Sequence, residues 1–279
     1  MKINLAKSTG FCFGVRRALK IAYDTVKLSA TVEMLGDIVH NEEVVKDIDK
    51  IGIKKIVKLK IGRNKLLLIR AHGVGEKTIK KASALGYKII DATCPMVKEI
   101  HKIAIEMEKK GYTIIIIGDK KHDEVQGIIG QLKKKAIAID AVNPLPLNKL
   151  RKIKKAAVIV QSTQNYDRVT KIIGIMKKEI KQLKSFNTIC NPTRLKQQEI
   201  KKLPKRNDIM IIIGSKHSAN TKRLYQISKS LNKKSYWVQT YKGLKKEWFK
   251  KVKNVGIAAG SSTPDKTTRS VIDFINNLK

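Results

Sequence analysis

Cysteine is scarce in this chain: three residues in 279, Cys12, Cys94 and Cys190, with no CxxC pair. An odd and widely spaced set excludes a disulfide framework and leaves each thiol available as nucleophile, metal ligand or core filler. Long apolar runs are missing as well. Aliphatic stretches such as 114–117 and 209–213 fall far short of the roughly 18 residues that cross a bilayer, so no membrane span is expected. Residues 1–10 carry no apolar signal-peptide core with a small-residue cleavage site, which points to a cytoplasmic location. Acidic residues are few, 23 against 60 basic, and the net charge is +37. A charge of that size ordinarily suggests nucleic acid. Here only 10 of the basic residues are Arg, aromatics are 5% of the chain, and no DNA- or RNA-binding motif is visible. Base readout favours Arg, and single strands need rings to stack on. Nucleic acid is therefore discounted as a partner, and an anionic small molecule or an acidic redox protein is favoured.

What is present is a repeat. Twenty-four residues beyond each cysteine stands a glycine: Gly36, Gly118 and Gly214. At 28 residues the three positions read His40, His122 and Ser218, and at 30 they read Glu42, Glu124 and Asn220. Glycine is only 17 of 279 residues, so one unit of about 90 residues has been used three times. Each unit brings one thiol.

Aliphatic runs at 3–6, 32–35, 66–69, 88–90, 112–117, 136–139, 156–160, 208–213, 235–238 and 255–258 read as strands. Amphipathic helices are expected at 15–28, 44–51, 77–85, 96–109, 125–132, 166–183, 193–202, 221–231 and 267–278. Strands and helices that largely alternate imply parallel sheets, and runs continuous in Ile, Leu and Val imply strands covered on both faces. The fold class is α/β: three pseudo-equivalent domains, 14–94, 95–187, and 188–279 with 1–13, built on mostly parallel sheets. Each cysteine falls at the end of a strand and the start of a helix, with Pro95 and Pro192 suited to a first helical turn. An anion at that position gains from the unpaired N–H groups and the helix dipole.

One cysteine considered alone is most simply a buried small hydrophobe. Three at the same place in three units suggest a shared inorganic group. Zinc is possible, but a structural zinc site takes four protein ligands at local spacings; an iron–sulfur cluster better suits three thiolates so far apart in sequence. Polar loops follow the strand ends and carry His40, His72, His122, Ser162, Thr163, Ser218, Asn220 and Ser262. Hydroxyls, amides, imidazoles and helix-start N–H groups bind phosphate or diphosphate; helix capping is the plainer role for any one of them. His122 and Glu124 stand side by side in the second unit, and a Glu in a water-poor pocket can hold and deliver a proton. Glu42, its counterpart, reads as a solvated residue of a first helical turn. His101 is expected at the surface, and His217, one place off the register, is left without a role.

These residues resemble the LytB family of 4-hydroxy-3-methylbut-2-enyl diphosphate reductases. The matching segments are Gly10-Phe11-Cys12-Phe13-Gly14-Val15, Val39-His40-Asn41, Ala71-His72-Gly73-Val74, Asp91-Ala92-Thr93-Cys94-Pro95, His122-Asp123-Glu124-Val125-Gln126-Gly127, Gln161-Ser162-Thr163, Ser218-Ala219-Asn220-Thr221 and Ser262-Thr263-Pro264-Asp265, over essentially the whole length. The resemblance implies a trefoil of three domains around a central [4Fe–4S] cluster held by Cys12, Cys94 and Cys190, with one open iron. It implies reductive dehydroxylation of the allylic diphosphate to isopentenyl and dimethylallyl diphosphate, the last step of the methylerythritol phosphate pathway, with ferredoxin or flavodoxin as electron donor. Glu124 would be the proton donor, helped by Ser162 or Thr163 and by His122. The diphosphate contacts would fall on His40, His72, His122, Thr163, Ser218, Asn220 and Ser262, with Ala219 offering only its backbone where a second serine is common. Pro192 and Lys196 also depart from the family pattern and are expected to leave ligation unaltered. The alternatives are another three-cysteine [4Fe–4S] trefoil enzyme, such as a quinolinate synthase relative, and a basic nucleic-acid-binding protein.

Overall fold

A computed structural model describes residues 1–28 and 31–278. The chain begins with β1 (Lys2–Leu5), α1 (Phe13–Thr25), β2 (Val32–Leu35), α2 (Glu42–Lys50), β3 (Ile53–Ile56), β4 (Leu66–Ile69), α3 (Glu76–Ala84) and β5 (Lys88–Asp91). It continues through α4 (Pro95–Lys109), β6 (Thr113–Ile117), α5 (Asp123–Ile129), β7 (Ile137–Ile139), α6 (Leu147–Leu150), β8 (Lys155–Val160), α7 (Tyr166–Glu179) and β9 (Gln182–Ser185). Last come α8 (Asn191–Ile200), β10 (Ile209–Ile213), α9 (Ala219–Leu231), β11 (Ser235–Val238), β12 (Asn254–Ala259) and α10 (Asp265–Asn276). Among the described residues no helix is long and apolar enough to cross a membrane.

The strands form three four-stranded sheets, ordered β1-β12-β10-β11, β3-β2-β4-β5 and β7-β6-β8-β9, with every pairing parallel. Read from the opposite edge, the second and third sheets run β5-β4-β2-β3 and β9-β8-β6-β7, the same pattern as the first. The three-sheet α/β architecture expected from the sequence is thus the one that forms. Its third copy is completed by the N-terminal strand β1, which pairs with β12.

Contacts divide the chain into two compact units, Met1–Arg16 with Val39–Lys46 and Asn191–Lys279, and Arg17–Ile38 with Asp47–Cys190. In the second unit, β6 sends Ile115 and Ile117 to one apolar cluster with Val158, Val160, Val169 and Met176, and Ile114 and Ile116 to another with Ile100, Ala104, Val125 and Ile128. Helices therefore cover both faces, which is why a strand of consecutive isoleucines is stable there. The first unit repeats this, with Ile209, Ile211 and Ile213 facing Val271 and Ile275 of α10, and Met210 and Ile212 facing Leu224 and Ile227 of α9.

Two strands escaped the sequence reading. β3 shows a polar Lys54-Lys55 centre, and β9, mostly exposed, was covered by the helix expected at 166–183. That helix stops at Glu179, because Ile180 turns to extended backbone (φ −119°, ψ 117°) and β9 then pairs with β8. Edge strands need only one partner and one apolar face, so their composition carries little periodicity.

Close backbone contact fixes α5, the helix carrying Glu124. Gly130 ends α5 and Gly75 precedes α3, and the Gly130 carbonyl accepts the Glu76 N–H at 3.1 Å. A Cβ on Gly75 would lie 2.6 Å from the Gly130 Cα. Gly75→Val is therefore expected to cost about 1–3 kcal/mol through overpacking against main chain, read as a lower urea midpoint at unchanged slope.

Candidate functional site

Three thiol turns share one construction. The cysteines follow β1, β5 and β9, after intervening stretches of different length (residues 6–11, 92–93 and 186–189). Each nevertheless donates its N–H to the carbonyl of the second residue beyond the neighbouring strand: Cys12 to Ser261 at 3.1 Å, Cys94 to Ala71 at 3.0 Å and Cys190 to Ser162 at 3.1 Å. Helices α1, α4 and α8 begin at the very next residue. The Cys12 and Cys94 carbonyls accept from Arg16 and Lys98, both at 3.0 Å, so these cysteines are helix N-caps. All three lie outside any disulfide, at half-buried positions. Helix-start N–H groups point toward such a cap, which suits an anionic ligand set.

The proton-holding group lies in the second unit. His122 caps α5, its Nδ1 accepting the Glu124 N–H at 3.1 Å, which leaves Nε2 to carry the ring proton as a donor. Its ring meets that of His72 edge-on, with centroids 5.5 Å apart. Arg70, at the end of the same turn as His72, pairs with Asp123 at 2.5 Å and so ties that turn to the first turn of α5. Glu124 itself is 2% exposed. One carboxylate oxygen accepts the Ser162 N–H at 2.6 Å and the other its hydroxyl at 2.7 Å. Burial raises the Glu124 pKa, and the two Ser162 donors, which act the other way, do not cancel it. The Ser162 carbonyl meanwhile holds the Cys190 N–H. One residue thus links the acid to a thiol turn. Thr163 has a different engagement: its hydroxyl accepts from Gln161 Nε2 at 3.1 Å.

The first unit gathers the hydroxyl and amide groups. Ser218 caps α9, accepting the Thr221 N–H at 3.3 Å, and Ala219 follows as the first residue of that helix. Ser262 donates its hydroxyl to the His40 carbonyl at 3.1 Å. Asn220 is 4% exposed, and neither its Oδ1 nor its Nδ2 has a hydrogen-bond partner among the described residues. An unspent buried amide costs roughly 1–3 kcal/mol per group and calls for an explanation, of which a polar ligand is the simplest. Glu42 is exposed in the first turn of α2, as expected, and accepts from Ser215 Oγ at 2.9 Å. In this repeat the cap is Asn41, one residue beyond His40, so the register of the three units slips by one place here.

A model described as LytB protein matches residues 3–276. The chain belongs to the LytB family. It is 39% identical over 280 residues to the 4-hydroxy-3-methylbut-2-enyl diphosphate reductase of Aquifex aeolicus, covering 99% of this chain and 96% of the relative. It is 41% identical to that of Campylobacter hominis, over the whole of both chains. A solved (E)-4-hydroxy-3-methyl-but-2-enyl diphosphate reductase, described as the terminal enzyme of the non-mevalonate pathway, aligns with TM-score 0.72 at 38% identity over 99% of this chain and 100% of that one. The E-1-hydroxy-2-methyl-but-2-enyl-4-diphosphate reductase of Plasmodium falciparum aligns with TM-score 0.90 at 27% identity over 99% and 88%. Membership in the LytB family decides against a quinolinate synthase relative.

One expectation for this LytB chain is overturned. His101, read as a surface residue, is 9% exposed and packs beneath the His72 turn: a Cβ on Gly73 would lie 3.0 Å from its Cε1. Helical spacing alone could not show this, because α4 buries Ile100, Ala104 and Met107 on the same side. Burial lowers the His101 pKa from 6.5 to about 4, the charge of Asp91 opposing it weakly. The fold therefore binds fewer protons than the unfolded chain between those values, and stability falls as pH drops from 6.5 toward 4. His101→Leu is expected to flatten that part of the urea-midpoint profile; an unchanged slope between pH 7 and pH 5 would contradict the assignment. Lys196, noted above only as a departure from the family pattern, is 4% exposed on α8, a burial that nothing in its local sequence indicates.

Proposed function

We propose that the chain reduces 4-hydroxy-3-methylbut-2-enyl diphosphate to isopentenyl and dimethylallyl diphosphate and water, the last step of the methylerythritol phosphate route to isoprenoids. The observation that carries this reading is Glu124, a buried carboxyl held by Ser162 and biased toward its protonated form, in a chain of the LytB family. Replacing the allylic hydroxyl by hydrogen consumes two electrons and two protons, and the departing oxygen must leave as water. A buried carboxylic acid holds its proton to higher pH than an exposed one and can deliver it to that oxygen. Ser162 holds Glu124 through both oxygens, which fixes the orientation of the acid, and burial keeps solvent from it.

Three half-buried thiols outside any disulfide, in equivalent turns, suit one [4Fe–4S] cluster with Cys12, Cys94 and Cys190 as ligands and one iron left open. When bound, such a group supplies electrons one at a time and a Lewis-acidic iron. The diphosphate is held by His40, His72, His122, Thr163, Ser218, Asn220 and Ser262, with Ala219 contributing its backbone. The Nε2–H of His122 and the unspent amide of Asn220 are donors of the required kind. These contacts lie away from the breaking C–O bond, so their binding energy can position the alcohol without weakening the leaving step. An acidic one-electron carrier, ferredoxin or flavodoxin, suits a surface of net charge +37. A cytoplasmic location and domain boundaries at 14–94, 95–187, and 188–279 with 1–13 belong to the same reading.

The test is an anaerobic preparation assayed with the allylic diphosphate and a reduced viologen dye. A brown, oxygen-sensitive protein that consumes the substrate and releases both products is expected. A colourless preparation without iron that is fully active, or an iron-loaded one that leaves the substrate unchanged, would refute the proposal.

A further inference from the structure

The three thiol turns are each pinned to the last residue of the neighbouring strand, but by three different groups. At Cys94 the pin is a main-chain bond, Ala92 N–H to the Ile69 carbonyl at 3.0 Å. At Cys190 it is a hydroxyl: Thr188 Oγ1 accepts from the Val160 N–H at 2.8 Å and donates to the Val160 carbonyl at 2.5 Å. At Cys12 it is an ammonium. Lys196 Nζ donates to the Ala259 carbonyl at 3.2 Å, to the Gly10 carbonyl at 3.5 Å and to the Ser8 carbonyl. Ile69, Val160 and Ala259 are the final residues of β4, β8 and β12, so the three pins occupy equivalent places.

Burying a cation is the costly way to make such a pin. A hydroxyl or a main-chain N–H suffices in the other two turns. The stretch before Cys12 is the longest of the three, which gives a long flexible side chain more to hold, and Gly10 within it has φ +80°. Length alone does not require a charge. What a charge adds is attraction for an anion: burial lowers the Lys196 pKa from 10.5 to about 8, and the groups whose charge opposes that shift are led by Cys12, followed by Glu199 and Asp265.

We propose that Lys196 is a positioning residue for the Cys12 ligand: it clamps the 6–11 stretch to the end of β12 and sets an ammonium group against the turn that carries the thiol. The second half rests on the iron–sulfur reading given above; the clamp does not. A positive charge near a thiolate-ligated cluster favours its reduced, more negative state and so raises its reduction potential.

The test compares Lys196→Met, Lys196→Arg and the parent, with circular dichroism to verify folding. Amide hydrogen exchange on the full chain as purified reads the clamp. In K196M the amides of residues 7–13 are expected to exchange roughly tenfold faster or more, matching the loss of charge-assisted hydrogen bonds, while those of 91–97 are unchanged. Redox titration of the anaerobically reconstituted protein reads the charge. Its midpoint potential is expected to shift to more negative values in K196M and to stay near the parent's in K196R, which keeps the charge. Exchange over 7–13 that is the same in K196M and the parent would overturn the clamp, and an unshifted K196M potential would overturn the role of the charge. A parent protein that takes up no iron or sulfide would instead refute the cluster reading, with the exchange measurement still deciding the clamp.

Discussion

Glu124→Gln is expected to lower turnover by about 10²- to 10⁴-fold, the usual contribution of a positioned proton donor, while iron content and the visible spectrum stay as in the parent. The amide keeps the shape of the carboxyl and can still accept the Ser162 N–H, so the Cys190 turn that hangs on the Ser162 carbonyl has no reason to move. KM should change little, because the loss lies in a step the substrate reaches only after binding. A second readout separates proton delivery from structure. Burial raises the folded-state pKa of Glu124 above its ordinary value of 4.5, so the fold binds more protons than the unfolded chain just above that value. Stability from this group is fully present below about pH 4.5 and is lost as pH rises through the raised value. Glutamine has no charge to bury. The urea midpoint of E124Q should therefore exceed the parent's at pH 8 and match it near pH 4.5. Turnover unchanged in E124Q would remove the proton-donor assignment, and a midpoint difference that does not grow with pH would remove its physical basis.

Cys94→Ser should abolish turnover and cluster retention and yet leave the fold at least as stable. Cys94 sits at the N-cap of α4 and makes no side-chain cap hydrogen bond. Serine is among the best residues for that position, and its hydroxyl can accept an N–H of the first turn that the thiol leaves unbonded, a gain of about 0.5–1 kcal/mol. A thiol that contributes less to the helix than serine would is held there for its chemistry. Iron and sulfide analysis together with a urea melt would read both effects. Full iron content in C94S would sink the ligand assignment, and a large loss of stability would mean that the thiol is part of the packing.

The alternation of strand and helix was legible because several central strands, 66–69 among them, are unbroken aliphatic runs buried on both faces; 32–35 and the edge strand 235–238 were also placed to the residue. The cysteine turns were legible because glycine and histidine recur at fixed distances from them. Gly118 recurs for a reason the structure makes plain: a Cβ there would lie 2.8 Å from both the Gln161 Cβ and a Val125 methyl carbon. The edge strands β3 and β9 were not legible, since pairing with one neighbour supplies what their own composition lacks. Nor was the burial of His101 visible, because an imidazole on an amphipathic helix reads alike on its wet and its apolar side.

By itself the sequence determined the class of fold, the threefold repeat, the three thiols and the presence of a carboxyl beside His122. These follow from local chemistry, namely side-chain period, turn residues and spacing, which a linear string records in full. Tertiary structure alone decided which hydroxyl holds Glu124, since Ser162 and Thr163 are neighbours in the chain and only the path of the turn after β8 aims one of them at the acid. It alone decided that Lys196 is buried and what it holds, because the energy of a buried ammonium depends on which carbonyls surround it, and those arrive from residues 8, 10 and 259. Hydrogen bonds between distant segments are a property of the folded arrangement, and no local pattern encodes their partners.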